Sequence, residues 1–173
     1  FATSEITVIP DLAYRDGDRD ALLDLYVPKS APIDGARLPA LIWTHGGAWV
    51  SGQKDDADHY FNVIAAQGYA VISLRYSLAP VHQSPTPVIQ VNEALAFIQA
   101  HAESLFVDPD RIMLAGDSAG AQITSQYAAL VTNPAYASEM KIAPSITPVH
   151  LRGVILFCGV YDFPAFVQMA EVV

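Results

Sequence analysis

The chain has 173 residues and a formal net charge of −9, with 18 Asp and Glu against 9 Lys and Arg. That length fits one domain with a substantial core, and the acidic balance argues against the basic surface that nucleic acid or an anionic membrane would need. The one cysteine, Cys158, excludes an internal disulfide; set in an apolar run, it reads as a small buried hydrophobe.

The longest apolar stretch, Val154 to Tyr161, is too short to cross a bilayer. No signal-peptide pattern opens the chain, and Phe1 in place of an initiator Met points to a trimmed N-terminus. Glu5 to Ile9 and Leu22 to Val27 read as strands around a turn containing Arg15-Asp16-Gly17-Asp18. Lys29 to Leu38, with Pro32 and Gly35, reads as a loop. Ala40 to Trp43 is a short apolar strand that runs into Thr44-His45-Gly46-Gly47-Ala48-Trp49. Asp55 to Gln67 has helical spacing, with Ala57, Phe61, Ile64 and Ala65 on one face and Gly68 as the stop. Tyr69 to Tyr76 is the next strand, its Ala70-Val71-Ile72 core pointing to burial on both faces. After the Pro-broken loop Ser77 to Pro87, Thr86 can cap and Pro87 can open a helix carrying Val88, Val91, Leu95, Ile98 and Ala102.

Asp108-Pro109-Asp110 turns the chain into the run Ile112-Met113-Leu114-Ala115, which leads to Gly116-Asp117-Ser118-Ala119-Gly120. A helical pattern follows, with Ala119, Ile123, Tyr127 and Leu130 on one face. Strand, sharp turn and helix with Ser118 at the apex is the context of a nucleophile elbow. Gly116 and Gly120 supply the room that so tight a turn demands, and the helix N-terminus beneath Ser118 favours negative charge. The plainer reading of the five residues is a Gly-rich turn with a capping Ser. Asn133 to Pro148 reads as irregular, Leu151 to Val160 as a strand buried on both faces, and Ala165 to Val173 as the beginning of something helical. Strands and helices alternate from Ala40 onward, so the sheet is expected to be mostly parallel with function at the strands' carboxyl ends.

His45-Gly46-Gly47-Ala48-Trp49 also follows a strand, so both loops can open on one edge. Acyl transfer through a Ser needs backbone N–H groups aimed at the developing oxyanion. The expected donors are Gly47, Ala48 and Ala119, with Gly46 shaping the turn. Read alone, the segment is an ordinary Gly turn.

H-G-G-A-W paired with G-D-S-A-G, with Tyr76-Ser77-Leu78-Ala79-Pro80 between them, resembles the α/β-hydrolase fold and, within it, the hormone-sensitive-lipase-like carboxylesterases. The resemblance covers about Leu38 to Asp162. It implies a three-layer α/β-hydrolase with a mostly parallel sheet, acting on small carboxylic esters through a Ser. Carried over, Ser118 matches the nucleophile, Ala119 an oxyanion donor, and Gly46, Gly47 and Ala48 the oxyanion loop, while His45 matches that loop's structural His. The chain departs from the pattern at Ala48, where the family commonly has Gly, and at Ser77 and Val81, where it commonly has Arg and Glu.

The Ser needs a base and the base an orienting carboxylate, in this fold in the order Ser, acid, His. After Ser118 the only His is His150, and the acids after His150 are Asp162 and Glu171, with no His after either. The expectation is therefore a longer enzyme. Residues 1–173 would form a partial hydrolase domain that stops before the last strands, 165–173 would open a cap-like insertion, and the acid and base would lie beyond Val173. The strand from Leu151 would then be an apolar edge.

Other candidates read more plainly. Asp55, Asp56 and Asp58 with His59 look like acids complementing a helix start, not a metal cluster. His59 and His101 read as solvent-facing, His150 sits at the wrong end of its strand to be a base, and Asp117 is expected to bond backbone around the elbow. Trp49 and His82 are candidate substrate contacts at the mouth. The reading is a Ser carboxylesterase working through an acyl-enzyme, with no metal or organic cofactor. Its partners are a small-molecule ester and a C-terminal segment carried by the same chain or a second one, with no nucleic acid and no membrane span. An amide or formamide hydrolase with the same nucleophile, or a non-catalytic ligand receptor on the same scaffold, remain the alternatives.

Overall fold

The structure is a computed structural model that describes residues 5–31 and 37–170. Pro32, Gly35 and Glu171, named above, lie outside the described residues. A six-stranded sheet carries the fold: β1 (Ile6–Ala13), β2 (Leu22–Pro28), β3 (Leu38–Thr44), β4 (Ala70–Leu74), β5 (Val107–Asp117) and β6 (Leu151–Phe157), in the order β1-β2-β4-β3-β5-β6. β1 pairs antiparallel with β2, and β2 with β4; β4, β3, β5 and β6 run parallel.

Among the described residues the sheet is flanked by α1 (Asp58–Ala65), α2 (Thr86–Ala100), α3 (Ser118–Thr132), α4 (Pro134–Met140) and α5 (Phe163–Ala170). From β3 the chain steps to β4 on one side and then crosses back over β3 to β5 on the other. Right-handed crossovers in opposite directions put their helices on opposite faces, and the two cores bear this out. Phe61 and Ala65 of α1 pack with Tyr26, Leu41, Trp43, Val71 and Ala115 on one face. Val88, Leu95 and Ile98 of α2 and Ile123, Tyr127 and Leu130 of α3 pack with Leu23, Leu25, Ile42, Ile72 and Leu114 on the other. The result is three layers, helix–sheet–helix. All five residues of β4 are buried, as a strand covered on both faces requires.

Several local expectations change. α1 begins at Asp58, not Asp55, because 54–57 form a turn. Pro85, not Thr86, occupies the N-cap of α2; Thr86 is its first residue and makes no side-chain cap bond. Asp108-Pro109-Asp110 belongs to β5, where the register jumps from Leu38↔Val107 to Ala40↔Ile112. The stretch after α3 is not irregular throughout. Asn133 accepts from the N–H groups of Ala135 and Tyr136, Pro134 starts α4, and Lys141 ends it in the left-handed region at φ 56°. β6 is not buried on both faces: its residues alternate between half-buried and exposed as far as Leu156, and among the described residues it is an edge strand paired only with β5. Val154, Leu156 and Phe157 are exposed, and so is Cys158 just past the strand.

Candidate active site

β3 and β5 are neighbours, and Thr44, the last residue of β3, lies opposite Gly116, the next-to-last residue of β5. The loops that leave them, His45–Trp49 and Asp117–Ser118, therefore emerge side by side on the carboxyl edge of the sheet. This is the crevice where connections in opposite directions separate, the usual ligand site of an open α/β sheet.

Ser118 is the first residue of α3 and sits at φ +49°. A left-handed residue with a Cβ is uncommon and costs about 1–2 kcal/mol. Here it is held between a paired strand and a buried helix. A Cβ at Gly116 would come within 2.7 Å of the Gly120 carbonyl and the Thr44 oxygen. A Cβ at Gly120 would overlap the Thr44 and His45 carbonyls. Both glycines are thus steric requirements of the turn. Ser118 remains half-buried, not sealed in the interior. The amide of Ala119 lies in the first turn of α3, where N–H groups have no helical acceptor.

The facing loop is bent by three consecutive positive φ angles, Gly47 at 108°, Ala48 at 52° and Trp49 at 63°. A Cβ at Gly47 would overlap the Ser51 carbonyl. The Gly47 carbonyl accepts from the amides of Val50 and Ser51 and from Ser51 Oγ, which turns that oxygen away from the crevice. The amides of Gly47 and Ala48 donate to no protein acceptor among the described residues. Gly46 is committed differently: its N–H donates to Asp117 Oδ1 at 3.0 Å. That bond ties the two loops together and fulfils the expectation for Asp117.

His45 holds the loop from below. It is 3% exposed, its ring stacks on Tyr76 with centroids 4.3 Å apart, and Tyr76 Oη donates to its carbonyl at 2.9 Å. Its Nδ1 lies 2.7 Å from the Gly46 carbonyl, which fixes that nitrogen as the donor. Burial pushes the His45 pKa below its ordinary value, so the ring stays neutral. Burial, reinforced by Asp117, pushes the Tyr76 phenol up.

Trp49 and His82 line a cleft of about 300 Å³ with Ala79, Pro87, Val88, Gln122, Ile123 and Phe163. Gln122 and Ile123 lie one turn along α3 from Ser118. Trp49 packs against Phe163 with tilted rings, centroids 5.5 Å apart, and its Nε1 donates to Gln122 Oε1 at 3.2 Å. The sequence reading missed Gln122, since a glutamine inside an amphipathic helix carries no local signal of what it will face.

The other histidines are elsewhere. His59 and His101 are exposed on or beside helices. His150 precedes β6 at the opposite edge, beside Thr147 and Asp110. Two acids of the 55–58 segment are spent on structure: Asp56 accepts from the Gln53 amide, and Asp58 from the Tyr26 phenol. Among the described residues no group of three or more His, Cys, Asp or Glu could hold a metal ion, and no helix is long and apolar enough to cross a membrane.

The BD-FAE family model matches residues 23–171. Esterase LipQ of Mycobacterium tuberculosis is 30% identical over 163 residues, which cover 93% of this chain and 37% of that protein. Carboxylesterase NlhH of the same organism is 36% identical over 116 residues, covering 66% of this chain and 35% of the relative. Among solved structures, esterase B from Lactobacillus rhamnosis superposes with a TM-score of 0.85 at 23% identity, over 97% of this chain and 53% of that one. The bacterial heroin esterase superposes with a TM-score of 0.69 at 25% identity, over 94% and 47%. The three layers described above are those of an α/β-hydrolase. The chain spans about a third of the length of the curated relatives it matches.

Proposed function

We propose that this chain, which belongs to the BD-FAE family, carries the nucleophile and oxyanion half of a serine carboxylesterase. The observation that supports this most is the strained Ser118 at the β5–α3 junction, in register beside an amide-lined loop. Its relatives' names, esterase and carboxylesterase, point the same way.

In this reading Ser118 Oγ attacks the carbonyl carbon of a small ester and gives up its proton to a histidine. The carbonyl oxygen takes the negative charge. The amides of Gly47, Ala48 and Ala119 receive it, each worth about 3–4 kcal/mol of barrier. Gly46 holds the loop's shape through Asp117. Collapse of the tetrahedral species expels the alcohol and leaves an acyl-Ser118, which water then hydrolyses. The general base and its carboxylate are read as lying outside residues 1–173. Among the described histidines, none hydrogen-bonds Ser118, and His45 is buried with its Nδ1 on the Gly46 carbonyl and its ring stacked on Tyr76. α5, with Phe163 against Trp49, is read as the start of a cap over the cleft that Trp49 and His82 line.

The test is a fluorophosphonate probe and a short-acyl aryl ester applied to the full-length protein that contains this chain. Labelling at Ser118 with ester turnover is the expected result. Abolition of both in Ser118→Ala completes it, with a loss on the order of 10⁶ in kcat. Tight ligand binding with no labelling would sink the proposal.

A further inference from the structure

The side chain that Trp49 holds has chemistry to spare. Gln122 is 9% exposed and lies four residues after Ser118, hence on the same side of α3. An indole N–H is only ever a donor. The 3.2 Å bond from Trp49 Nε1 therefore fixes the carboxamide, with its oxygen toward Trp49 and its NH₂ turned the other way. Among the described residues no protein acceptor takes that NH₂. It is not sealed off either, since Gln122 lines the cleft of about 300 Å³. Trp49, Pro87, Val88, Ile123 and Phe163 give the cleft most of its wall, with His82, Gln83, Ser84 and Gln126 as its other polar residues, none of which bonds the Gln122 NH₂. A nearly buried donor of known orientation thus faces a mostly hydrocarbon-lined space one turn from the proposed nucleophile.

We propose that Gln122 is a specificity-determining residue: its NH₂ donates to an acceptor oxygen of the bound ester, and so selects esters bearing an ether, hydroxyl or carbonyl oxygen over hydrocarbon esters of the same shape. This rests on the reading of Ser118 as the nucleophile. A plain alkyl chain in the cleft strips water from the NH₂ and leaves it unpaired, whereas an oxygen at that place restores the bond. Trp49 is the positioning residue, because its indole stops the amide from turning over.

The test uses the full-length protein and pairs of esters that differ by one CH₂ replaced with O. One series varies the acyl chain, the other the alcohol, so the outcome also tells which part of the ester enters the cleft. The expected result is a kcat/KM preference for the oxygen member of about threefold to tenfold in one series. Gln122→Glu still accepts from Trp49 but has no NH₂, and Gln122→Leu keeps the bulk without either; both should bring the ratio close to one. Trp49→Phe keeps the wall and releases the amide, so its ratio should fall between. A merely structural Gln122 would change stability and overall rate but not the ratio. A ratio unchanged in both variants overturns the proposal and leaves ester hydrolysis at Ser118 standing. Absence of both hydrolysis and fluorophosphonate labelling in the unaltered protein overturns the reading of Ser118, and this inference with it.

Discussion

Ser118 and Ala48 hold the site's backbone where side chains are unwelcome, at φ +49° and +52°. Relief of that strain separates stability from chemistry. Ser118→Gly should raise the unfolding free energy by about 1 kcal/mol and abolish ester turnover, while Ser118→Ala, which keeps a Cβ, should abolish turnover with stability nearly unchanged. Urea unfolding beside a turnover assay reads both. Ala48→Gly should also gain about 0.5–1 kcal/mol, and it preserves the amide that the oxyanion would use. A large loss of stability there would mean that the alanine methyl group packs usefully. His45 supplies the pH dependence. Its folded pKa lies below the ordinary value near 6.5 because it is buried, so between those two values the unfolded chain binds the extra proton. Stability is then complete above about pH 6.5 and falls as the pH drops below it. Urea midpoints taken from pH 7.5 to 5.5 should decline, and the decline should flatten in His45→Phe.

At the level of elements, the elbow works because α3 is pressed against the end of β3. Gly120 meets the Thr44 and His45 carbonyls with no room for a methyl group. Gly120→Ala must push the helix from the strand, at a cost of about 1–3 kcal/mol. It should also separate Ser118 from the Gly47 and Ala48 amides, so kcat should fall more steeply than substrate binding weakens. Circular dichroism with steady-state kinetics checks this; an active variant of ordinary stability would show that the contact can relax. The five-residue elbow was legible in the sequence because its pattern is short, two glycines flanking a Ser between a strand run and a helical run; that Gly120 makes room for the Thr44 and His45 carbonyls was not. The α4 helix was not. Pro134-Ala135-Tyr136 has little amphipathic pattern, and none of its residues is buried, so periodicity could not reveal it.

For the whole molecule, the consequential feature is the side of β6 away from β5. Val154 and Leu156 are exposed on one face of this edge strand and Phe157 on the other, where Leu41, Trp43, Tyr60, Met113, Ile155 and Phe157 line an apolar hollow of about 210 Å³. An unpaired apolar strand invites association. The 173-residue chain expressed alone should self-associate with rising concentration. Leu156→Lys should suppress this without lowering the unfolding temperature by more than a few degrees, as light scattering and thermal melts would show. A monomer at all concentrations would contradict this.

The sequence by itself determined the alternation of strands and helices, the apolar faces that build both cores, and the two glycine-bearing loops, because each depends on neighbours within a few residues of one another. Tertiary structure alone decided that β3 and β5 lie side by side and that Asp117 reaches back to Gly46. It also decided that Trp49 bonds the Gln122 oxygen at the cleft, and that β6 leaves Val154, Leu156 and Phe157 exposed where apolar residues had suggested burial on both faces. These outcomes depend on which distant segments meet. Strand order and crossover direction set those meetings, and no local run of residues encodes them.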